Sequence, residues 1–190
     1  MNKLIKKHVL EHRAALDSIM QLEESIVKFA NLLVRCLESK GTIFWCGNGG
    51  SASDSQHLAG ELVGRFVKER RPLKSISLTA DSAVMTCIVN DYGYEHIFSR
   101  QVEALGVEGD VLVGITTSGN SQNVLNAFKV AEQKNMTTIG LLGKGGGKAT
   151  SLVNLSVIVP SKSTARVQEM HILIGHILCD LIEEGLNLKT

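Results

Sequence analysis

Residues 42–61 read TIFWCGNGGSASDSQHLAGE. The first five are β-branched, aromatic or small, which is typical of a strand inside a sheet. Residues 47–50, Gly-Asn-Gly-Gly, interrupt this strand with residues that tolerate positive φ and let a ligand approach the backbone. If a helix follows, its free N–H groups and the positive end of its dipole meet at this turn. The stretch therefore predicts an anion site between a strand and a helix.

The helix after the glycine turn is predicted to begin at a polar N-cap. Ser51, Ser53 and Asp54 are residue types that cap helices. His57 and Glu61 lie four residues apart, so they share one helix face about a turn beyond the anion site. An imidazole and a carboxylate beside an anion site predict chemistry on a small phosphorylated molecule.

Composition limits the classes of protein that fit the chain. A length of 190 residues, with 44% apolar and 21% charged residues, suits one α/β domain, predicted as residues 1–190. The net charge is +1 and aromatic residues make up 4%, so no nucleic-acid partner is expected. The charged N-terminus is unlike a signal peptide, and no apolar run approaches the roughly 18 residues that span a bilayer, so no membrane partner is expected.

The four cysteines lie far apart in apolar stretches and form no CxxC pair. This pattern predicts reduced packing residues of a cytoplasmic protein, not disulfides or a zinc knuckle. The four residues are Cys36, Cys46, Cys87 and Cys179.

The first 40 residues have a helical pattern. Apolar residues recur at spacings of three and four from residue 3 to residue 38, which predicts two helices with a bend near residues 21–25. Their apolar surface exceeds what one sheet needs, so residues 1–40 are predicted to take part in oligomerisation.

Strand-like and helical stretches alternate through the rest of the chain, which predicts βαβ units on a parallel sheet with helices on both faces. Ligands of such sheets bind beyond the carboxyl ends of the strands, so the loops after residues 46, 78 and 115 are the expected site. The predicted strands are 42–46, 74–78, 110–115, 137–142 and 155–159, and the predicted helices lie near 52–68, 82–90, 94–105, 122–135 and 163–187.

The first of these loops has two other interpretations. Gly47-x-Gly49-x-x-Ala52 satisfies the alanine-tolerant form of the dinucleotide fingerprint. However, the acid expected about 20 residues further on is missing, because Asp81 comes later, and hydroxyls fill the loop. A small phosphate ester is favoured over a nucleotide and over a purely structural turn.

The loop after residue 115 is rich in hydroxyls and opens another helix. Thr116, Thr117, Ser118 and Ser121, with the N–H groups of the helix start, could bind a dianionic phosphate without a lysine. The alternative is an elaborate N-cap, since Ser and Thr are normal there. Two such loops after two parallel strands favour phosphate binding.

The motif N-D-Y-G is open to two interpretations. One interpretation is a simple turn, because these residue types are typical of turns without any further function. If the sheet order places it beside the first loop, Asn90 and Asp91 could form hydrogen bonds with sugar hydroxyls.

The last predicted helix carries polar residues among apolar ones. At about 100° per residue, Gln168 and His176 are roughly 80° apart and can face one region, whereas His171 is expected to face elsewhere. One interpretation is a core histidine with a backbone partner. The other joins Gln168 and His176 to His57 and Glu61, because two imidazoles, a carboxylate and an amide oxygen are a plausible metal set. The residues alone do not bring that cluster together.

Three motifs together closely resemble those of the bacterial phosphoheptose isomerases, single-domain members of the sugar isomerase (SIS) family. They are CGNGGSASDSQHLAGEL, VNDYGYEHIFSRQVEALGVEGDVLVGITTSGNSQNV and RVQEMHILIGHILCDLIE, and the resemblance covers essentially the whole chain. It implies a flavodoxin-like α-β-α sandwich with a five-stranded parallel sheet, and a homotetramer with active sites at subunit interfaces. It also implies a cytoplasmic aldose–ketose isomerase that converts sedoheptulose 7-phosphate to D-glycero-D-manno-heptose 7-phosphate through an enediol, the first step toward nucleotide-activated heptose for lipopolysaccharide or capsule.

The resemblance implies roles for single residues. Glu61 matches the catalytic base and His176 its acid partner. Thr116 stands where serine is common, and GKGGGK at residues 143–148 differs from the commoner GKDGGK at a position expected to be peripheral. The positions that match zinc ligands, with one Zn²⁺ per subunit, are His57, Glu61, Gln168 and His176. The implied substrate contacts are Asn48, Gly49, Gly50, Ser51, Glu61, Asn90, Asp91, Thr116, Thr117, Ser118, Ser121 and Gln168.

Two other functions remain open from the sequence. A non-catalytic branch of the same family forms tetramers that bind the bacterial replication initiator, and its terminal helix is similar to residues 163–183. That branch lacks the acid and the imidazole at the positions of Glu61 and His176, so the enzyme is favoured. A sugar-phosphate-sensing regulatory module is the third candidate, and residues 1–190 are expected to leave no room for the DNA-binding domain that usually accompanies it.

Overall fold

The computed structural model describes residues 1–187. The strands are β1 (Ile43–Gly47), β2 (Ser75–Ser77), β3 (Val111–Thr116), β4 (Thr137–Gly143) and β5 (Leu155–Val159). The α-helices are α1 (Asn2–Asp17), α2 (Glu23–Glu38), α3 (Gly50–Val63), α4 (Ser82–Tyr92), α5 (Ser99–Leu105), α6 (Gln122–Gln133) and α7 (Thr164–Gly185). The strands form one sheet in the order β2-β1-β3-β4-β5, and every pair is parallel. The predicted α/β class and the five parallel strands are therefore confirmed.

The sheet separates two apolar cores. On β1, Ile43 and Trp45 belong to the core that contains residues of α2, α3 and α7, whereas Phe44 and Cys46 belong to the core that contains residues of α5 and α6. All five residues of β1 are buried. Because both faces of a parallel sheet are covered by helices, its central strands are apolar throughout.

The N-terminal helices are interrupted by a 3-10 turn at Ser18–Leu22. Two helices are predicted, and the break overlaps the bend expected near residues 21–25 but begins slightly earlier. Phe29 and Leu33 of α2 have no exposed surface and lie in the core shared with α3 and α7. By contrast, α1 buries only Ala15.

Several predicted boundaries differ from the structure. The helix expected from residue 52 to residue 68 begins earlier, because Gly49 with φ 58° turns the chain and serves as the N-cap of α3, and it ends earlier, at Val63. The predicted caps are wrong: the α-helix already includes Ser51, Ser53 and Asp54. The helix expected over residues 94–105 is a 3-10 turn followed by α5, because Gly93 at φ 92° redirects the chain after α4.

The prediction for the cysteines holds at three positions. Cys36, Cys46 and Cys179 are buried and free, as expected of packing residues. Cys87 is free but exposed, so its prediction as a packing residue is wrong. It lies on α4, which follows the edge strand β2 and buries only Ile88. Within residues 1–187, no helix is both long and apolar enough to cross a membrane.

His171 ties α7 to the sheet. It has no exposed surface, and its Nε2 lies 3.0 Å from the carbonyl oxygen of Leu142 in β4. A carbonyl only accepts, so Nε2 carries the hydrogen and Nδ1 remains without a partner among the described residues. Burial lowers the pKa of His171 to about 4, although the Leu142 carbonyl acts in the opposite direction. His171 therefore faces the sheet, as its angular position on the helix predicts.

The buried imidazole predicts a pH-dependent stability. Because its pKa in the folded chain is about 4 instead of 6.5, its contribution is complete above about pH 6.5. It is lost as the pH falls towards 4, where only the unfolded chain binds the proton. We expect the free energy of unfolding to fall by up to about 3 kcal/mol from this residue.

Urea unfolding of the wild type and of His171→Gln measures this effect. Glutamine keeps an N–H donor for Leu142 but does not titrate, so other groups affect both proteins equally. The difference in stability between the two proteins should narrow as the pH is lowered from neutrality. A difference that stays constant with pH would show that His171 is not the titrating group.

Candidate active site

The close packing of α3 on α7 creates the site. Gly175 of α7 faces Leu58 of α3, and a Cβ on Gly175 would lie 2.6 Å from Leu58 Cδ2. Leu58 has no exposed surface and cannot move aside into solvent. A side chain at position 175 would therefore force the helices apart. The contact lies next to Glu61 and His176 in the sequence, and it brings these distant residues together.

His57, Glu61 and His176 form one polar group. Nε2 of His57 lies 3.0 Å from Oε1 of Glu61 and 3.4 Å from Nε2 of His176. Ligand atoms of the three residues all lie within 4.8 Å of one another. His57 is exposed and the other two are partly buried, so the group lies at the surface of the single chain. Such a set of two imidazoles and a carboxylate could hold a metal ion.

Two rings set the orientation of His176. The ring of Phe66 stacks on the imidazole, with centroids 5.5 Å apart and planes 22° apart. His57 meets the same imidazole edge-on, with centroids 5.0 Å apart. Sequence reasoning missed Phe66, because a single aromatic residue in a connecting segment has no spacing pattern that points to the site.

Gln168 contacts the start of α3, at Gly50, and not the part of the helix that carries His57 and Glu61. A Cβ on Gly50 would lie only 2.5 Å from Nε2 of Gln168, so the glycine leaves room for this amide. Gly50 begins α3 about two turns before His57. The structure thus places Gln168 on the interface between α3 and α7, next to the glycine turn.

A side-chain network fixes the loop after β1. The amides of Asn48 and Asn123 bond to each other in both directions, at 2.9 Å and 2.8 Å. The Tyr94 hydroxyl donates to Oδ1 of Asn48 at 2.7 Å. One N–H of the Asn48 amide remains free of these bonds, whereas its oxygen accepts two. Sequence reasoning missed the roles of Asn123 and Tyr94, because each depends on a contact between distant loops.

The loop after β3 carries three hydroxyls close together. Oγ1 of Thr116 lies 3.1 Å from Oγ of Ser121 and 3.4 Å from Oγ of Ser118. Ser121 is the N-cap residue of α6, but its side chain forms no capping hydrogen bond. The Ser121 hydroxyl therefore does not cap α6, although the Val124 N–H in the first turn of the helix donates to Oδ1 of Asn123 at 2.9 Å. A helix start beside clustered hydroxyls is an arrangement that can bind a phosphate.

Backbone contacts hold this loop in place. Gly119 has φ 64°, and a Cβ there would overlap the carbonyl group of Gly146. The N–H groups of Lys148 and Ala149 donate to the loop, to Oδ1 of Asn120 at 3.1 Å and to the Gly119 carbonyl at 3.0 Å. Gly145, the residue that departs from GKDGGK, is exposed with open space around it. This exposure agrees with the peripheral position expected of Gly145, which stays a prediction.

A cavity of about 470 Å³ lies where the two loops meet. It is at the carboxyl ends of β1 and β3, where parallel sheets bind ligands. Its lining residues are Asn48, Tyr94, Glu95, Ser121, Gln122 and Asn123.

The N-D-Y-G motif lies at the end of α4 and in the turn after it. Asn90 lines a neighbouring cavity of about 520 Å³ together with Tyr94. The hydrogen bonds of Asp91 to described residues stay within α4, from Asn90 Nδ2 at 2.7 Å and from Cys87 Sγ at 3.7 Å. Within residues 1–187 of a single chain, the hydrogen bond between this segment and the first loop comes from Tyr94, one residue after the motif.

The fold and the site can be compared with known proteins. Residues 9–143, more than half of the chain, match the family model described as SIS domain. The chain belongs to the SIS domain family.

Relatives within this family match almost the whole chain. A phosphoheptose isomerase of Helicobacter pylori (strain ATCC 700392 / 26695) is 53% identical over 184 residues, which cover 96% of each protein. One of Campylobacter jejuni (serotype O:6) is 53% identical over 97% of this chain and 100% of the relative. The solved phosphoheptose isomerase of Neisseria gonorrhoeae has 43% identity and a TM-score of 0.92, covering 96% of this chain and 98% of that one. The chain thus has the SIS fold, and the predicted resemblance to phosphoheptose isomerases is confirmed.

Proposed function

We propose that the chain is an aldose–ketose isomerase that converts sedoheptulose 7-phosphate to D-glycero-D-manno-heptose 7-phosphate through an enediol. The reaction is the first cytoplasmic step toward nucleotide-activated heptose for lipopolysaccharide or capsule. The observation that carries the proposal is that α3 and α7 bring Glu61 and His176 together in a chain about half identical, over its full length, to phosphoheptose isomerases.

The phosphate end of the substrate is assigned to the two loops. Thr116, Ser118 and Ser121 offer hydroxyls beside the start of α6, which the Ser121 side chain does not cap. Asn48 contributes its free N–H from across the cavity. An anion held at this end orients the sugar, so that binding energy is converted into positioning at the other end. The remaining assigned contacts are Gly49, Gly50, Ser51, Asn90, Asp91, Thr117 and Gln168.

Proton transfer is assigned to Glu61 and His176. The Glu61 carboxylate removes the C1 proton of the ketose and returns it at C2, which forms and consumes the enediol. The imidazole of His176 moves protons at the carbonyl and hydroxyl oxygens. Phe66 and His57 hold this ring in one orientation, as a proton carrier requires.

We expect Glu61→Gln to reduce the turnover of sedoheptulose 7-phosphate at least about 100-fold, because the amide keeps the shape but cannot accept the proton. Glu184→Gln is the matched control: it makes the same substitution at an exposed carboxylate of α7 and should leave turnover near the wild-type value. Product formation in a coupled assay measures both.

Two outcomes would contradict the assignments. Turnover that survives in Glu61→Gln would remove Glu61 from its role as the base. A wild-type protein without turnover would favour the non-catalytic tetramer that binds the replication initiator.

The metal assigned to the site is one Zn²⁺ per subunit, which His57, Glu61 and His176 would hold, since their ligand atoms already lie within 4.8 Å of one another. Gln168 is the fourth assigned ligand, and its amide would have to turn away from Gly50 to reach the ion. Ligand nitrogens of a tetrahedral zinc site, each about 2.0–2.1 Å from the metal, are roughly 3.4 Å apart. The Nε2 atoms of His57 and His176 are 3.4 Å apart, which supports the assignment. When bound, zinc supplies a Lewis acid for the negative charge that develops on the enediolate oxygens.

Calorimetric titration of chelator-treated protein with Zn²⁺ tests this assignment. We expect one ion per chain, and an affinity at least about 10-fold lower in His57→Ala, which loses one ligand. His8→Ala is the control, since His8 is an exposed histidine of α1. Equal affinities in all three proteins would place the ion elsewhere.

A homotetramer with active sites at subunit interfaces completes the proposal, and residues 1–40 contribute to its contacts. Leu4, Ile5, Val9 and Leu10 of α1 are all more than half exposed, an apolar surface typical of an interface. The exposure of His57 also fits a site that a second copy covers.

Light scattering during size exclusion should give the mass of four chains. Ile5→Glu places a charge on the apolar surface of α1, so it should lower that mass, whereas the exposed Lys3→Glu should not. A wild-type mass of one chain would contradict the tetramer.

A further inference from the structure

The pair of Arg70 and Glu183 is buried next to the active site. Nε of Arg70 lies 2.8 Å from Oε1 of Glu183, and neither side chain has any exposed surface. Glu183 lies on α7 seven residues after His176, and Arg70 lies in the segment that joins α3 to β2. Burial of two charges is unfavourable unless further hydrogen bonds satisfy them. Those hydrogen bonds connect the pair to the backbone of Glu61 and to the backbone of Phe66, whose ring stacks on His176.

The Glu183 carboxylate holds the connecting segment against α7. It accepts the consecutive backbone N–H groups of Phe66, Val67 and Lys68 at 3.0, 3.1 and 2.8 Å. Burial opposes its ionisation, yet these N–H groups and Arg70 together keep the pKa of Glu183 below the usual value. The anion therefore fixes the backbone of three residues in one place.

The Arg70 guanidinium closes the end of α3. It donates to the carbonyl oxygens of Glu61 at 2.8 Å, Leu62 at 2.9 Å and Gly64 at 3.2 Å. Carbonyl groups in the last turn of a helix have no partner within the helix, and a cation there also stabilises the helix dipole. Arg70 thus holds the backbone of the residue that carries the catalytic carboxylate.

The two halves of the network reach different catalytic groups. Arg70 fixes the backbone of Glu61, and Glu183 fixes that of Phe66, whose ring stacks on His176. The ion pair therefore connects the guanidinium that holds the Glu61 backbone to the carboxylate that holds Phe66 against His176.

We propose that Arg70 and Glu183 are positioning residues that set the placement of Glu61 relative to His176, and so govern both proton transfer and metal binding at this site. The inference rests on the proposed function. Neither side chain has any exposed surface, so neither is expected to touch the substrate. The phosphate loops lie after β1 and β3 and are not part of this network, so substrate binding should depend on it little.

Three variants separate positioning from general stability. Glu183→Gln turns an amide N–H₂ towards backbone donors. Arg70→Lys keeps the charge, but an ammonium group cannot reproduce a planar fork that bonds through all three of its nitrogens. Phe66→Leu removes the ring that stacks on His176 and leaves the ion pair in place. Val102→Ala is the control, because it opens the core of the opposite face, where Val102 has no exposed surface.

We expect kcat for sedoheptulose 7-phosphate to fall about 10–100-fold in all three variants, with KM changed less than about threefold, since displaced supports of this kind have effects of that size. Calorimetry with Zn²⁺ should show affinity reduced by a similar factor in Arg70→Lys and Glu183→Gln. The control should melt at a lower temperature and keep its kcat, KM and zinc affinity.

Full kcat in Arg70→Lys and Phe66→Leu, together with full zinc affinity in Arg70→Lys, would overturn the proposal, and so would equal losses in Val102→Ala. If Glu183→Gln does not fold, the measurements on Arg70→Lys and Phe66→Leu still test the proposal. If the wild type lacks turnover, the proposed isomerase fails, and the zinc affinities then decide the positioning role separately.

Discussion

The packing of α3 on α7 is the constraint on which the site depends. Leu58 fills the space that the missing side chain of Gly175 leaves, so the helices approach closely beside both proposed catalytic groups. Helix α7 is held in turn by His171, which bonds to the sheet, and by Glu183, which bonds to the segment after α3. A carboxylate and an imidazole more than a hundred residues apart in sequence thereby share one surface.

The site has two parts with different physical foundations. The proposed phosphate end consists of backbone turns at the ends of central strands, where glycines and hydroxyls can bind an anion without a cationic side chain. The proposed reactive end consists of side chains on two long helices, whose positions are set by core packing. Because Asn48 bonds to Asn123 and Tyr94, the first loop is joined to α6 and to the turn after α4.

Much of the fold could be predicted from the sequence. Apolar strands alternating with helices indicated the parallel sheet, and the glycine loop before His57 and Glu61 indicated where the candidate site lies. The predictions that were wrong also have physical explanations. The start of α3 was misplaced because a glycine at positive φ, not a serine, turns the chain. Cys87 was placed inside because periodicity does not reveal that α4 follows an edge strand. The ion pair of Arg70 and Glu183 joins segments far apart in sequence, so no spacing pattern could indicate it.

The contact between Gly119 and the backbone at Gly146 affects how a ligand meets this loop. With Asn120 also bonded to the N–H of Lys148, the loop gives up its conformational freedom when the chain folds. Association with an anion then carries little entropic penalty for ordering the receptor. We therefore expect an anion to meet a preformed surface here, without a closing motion of the loop.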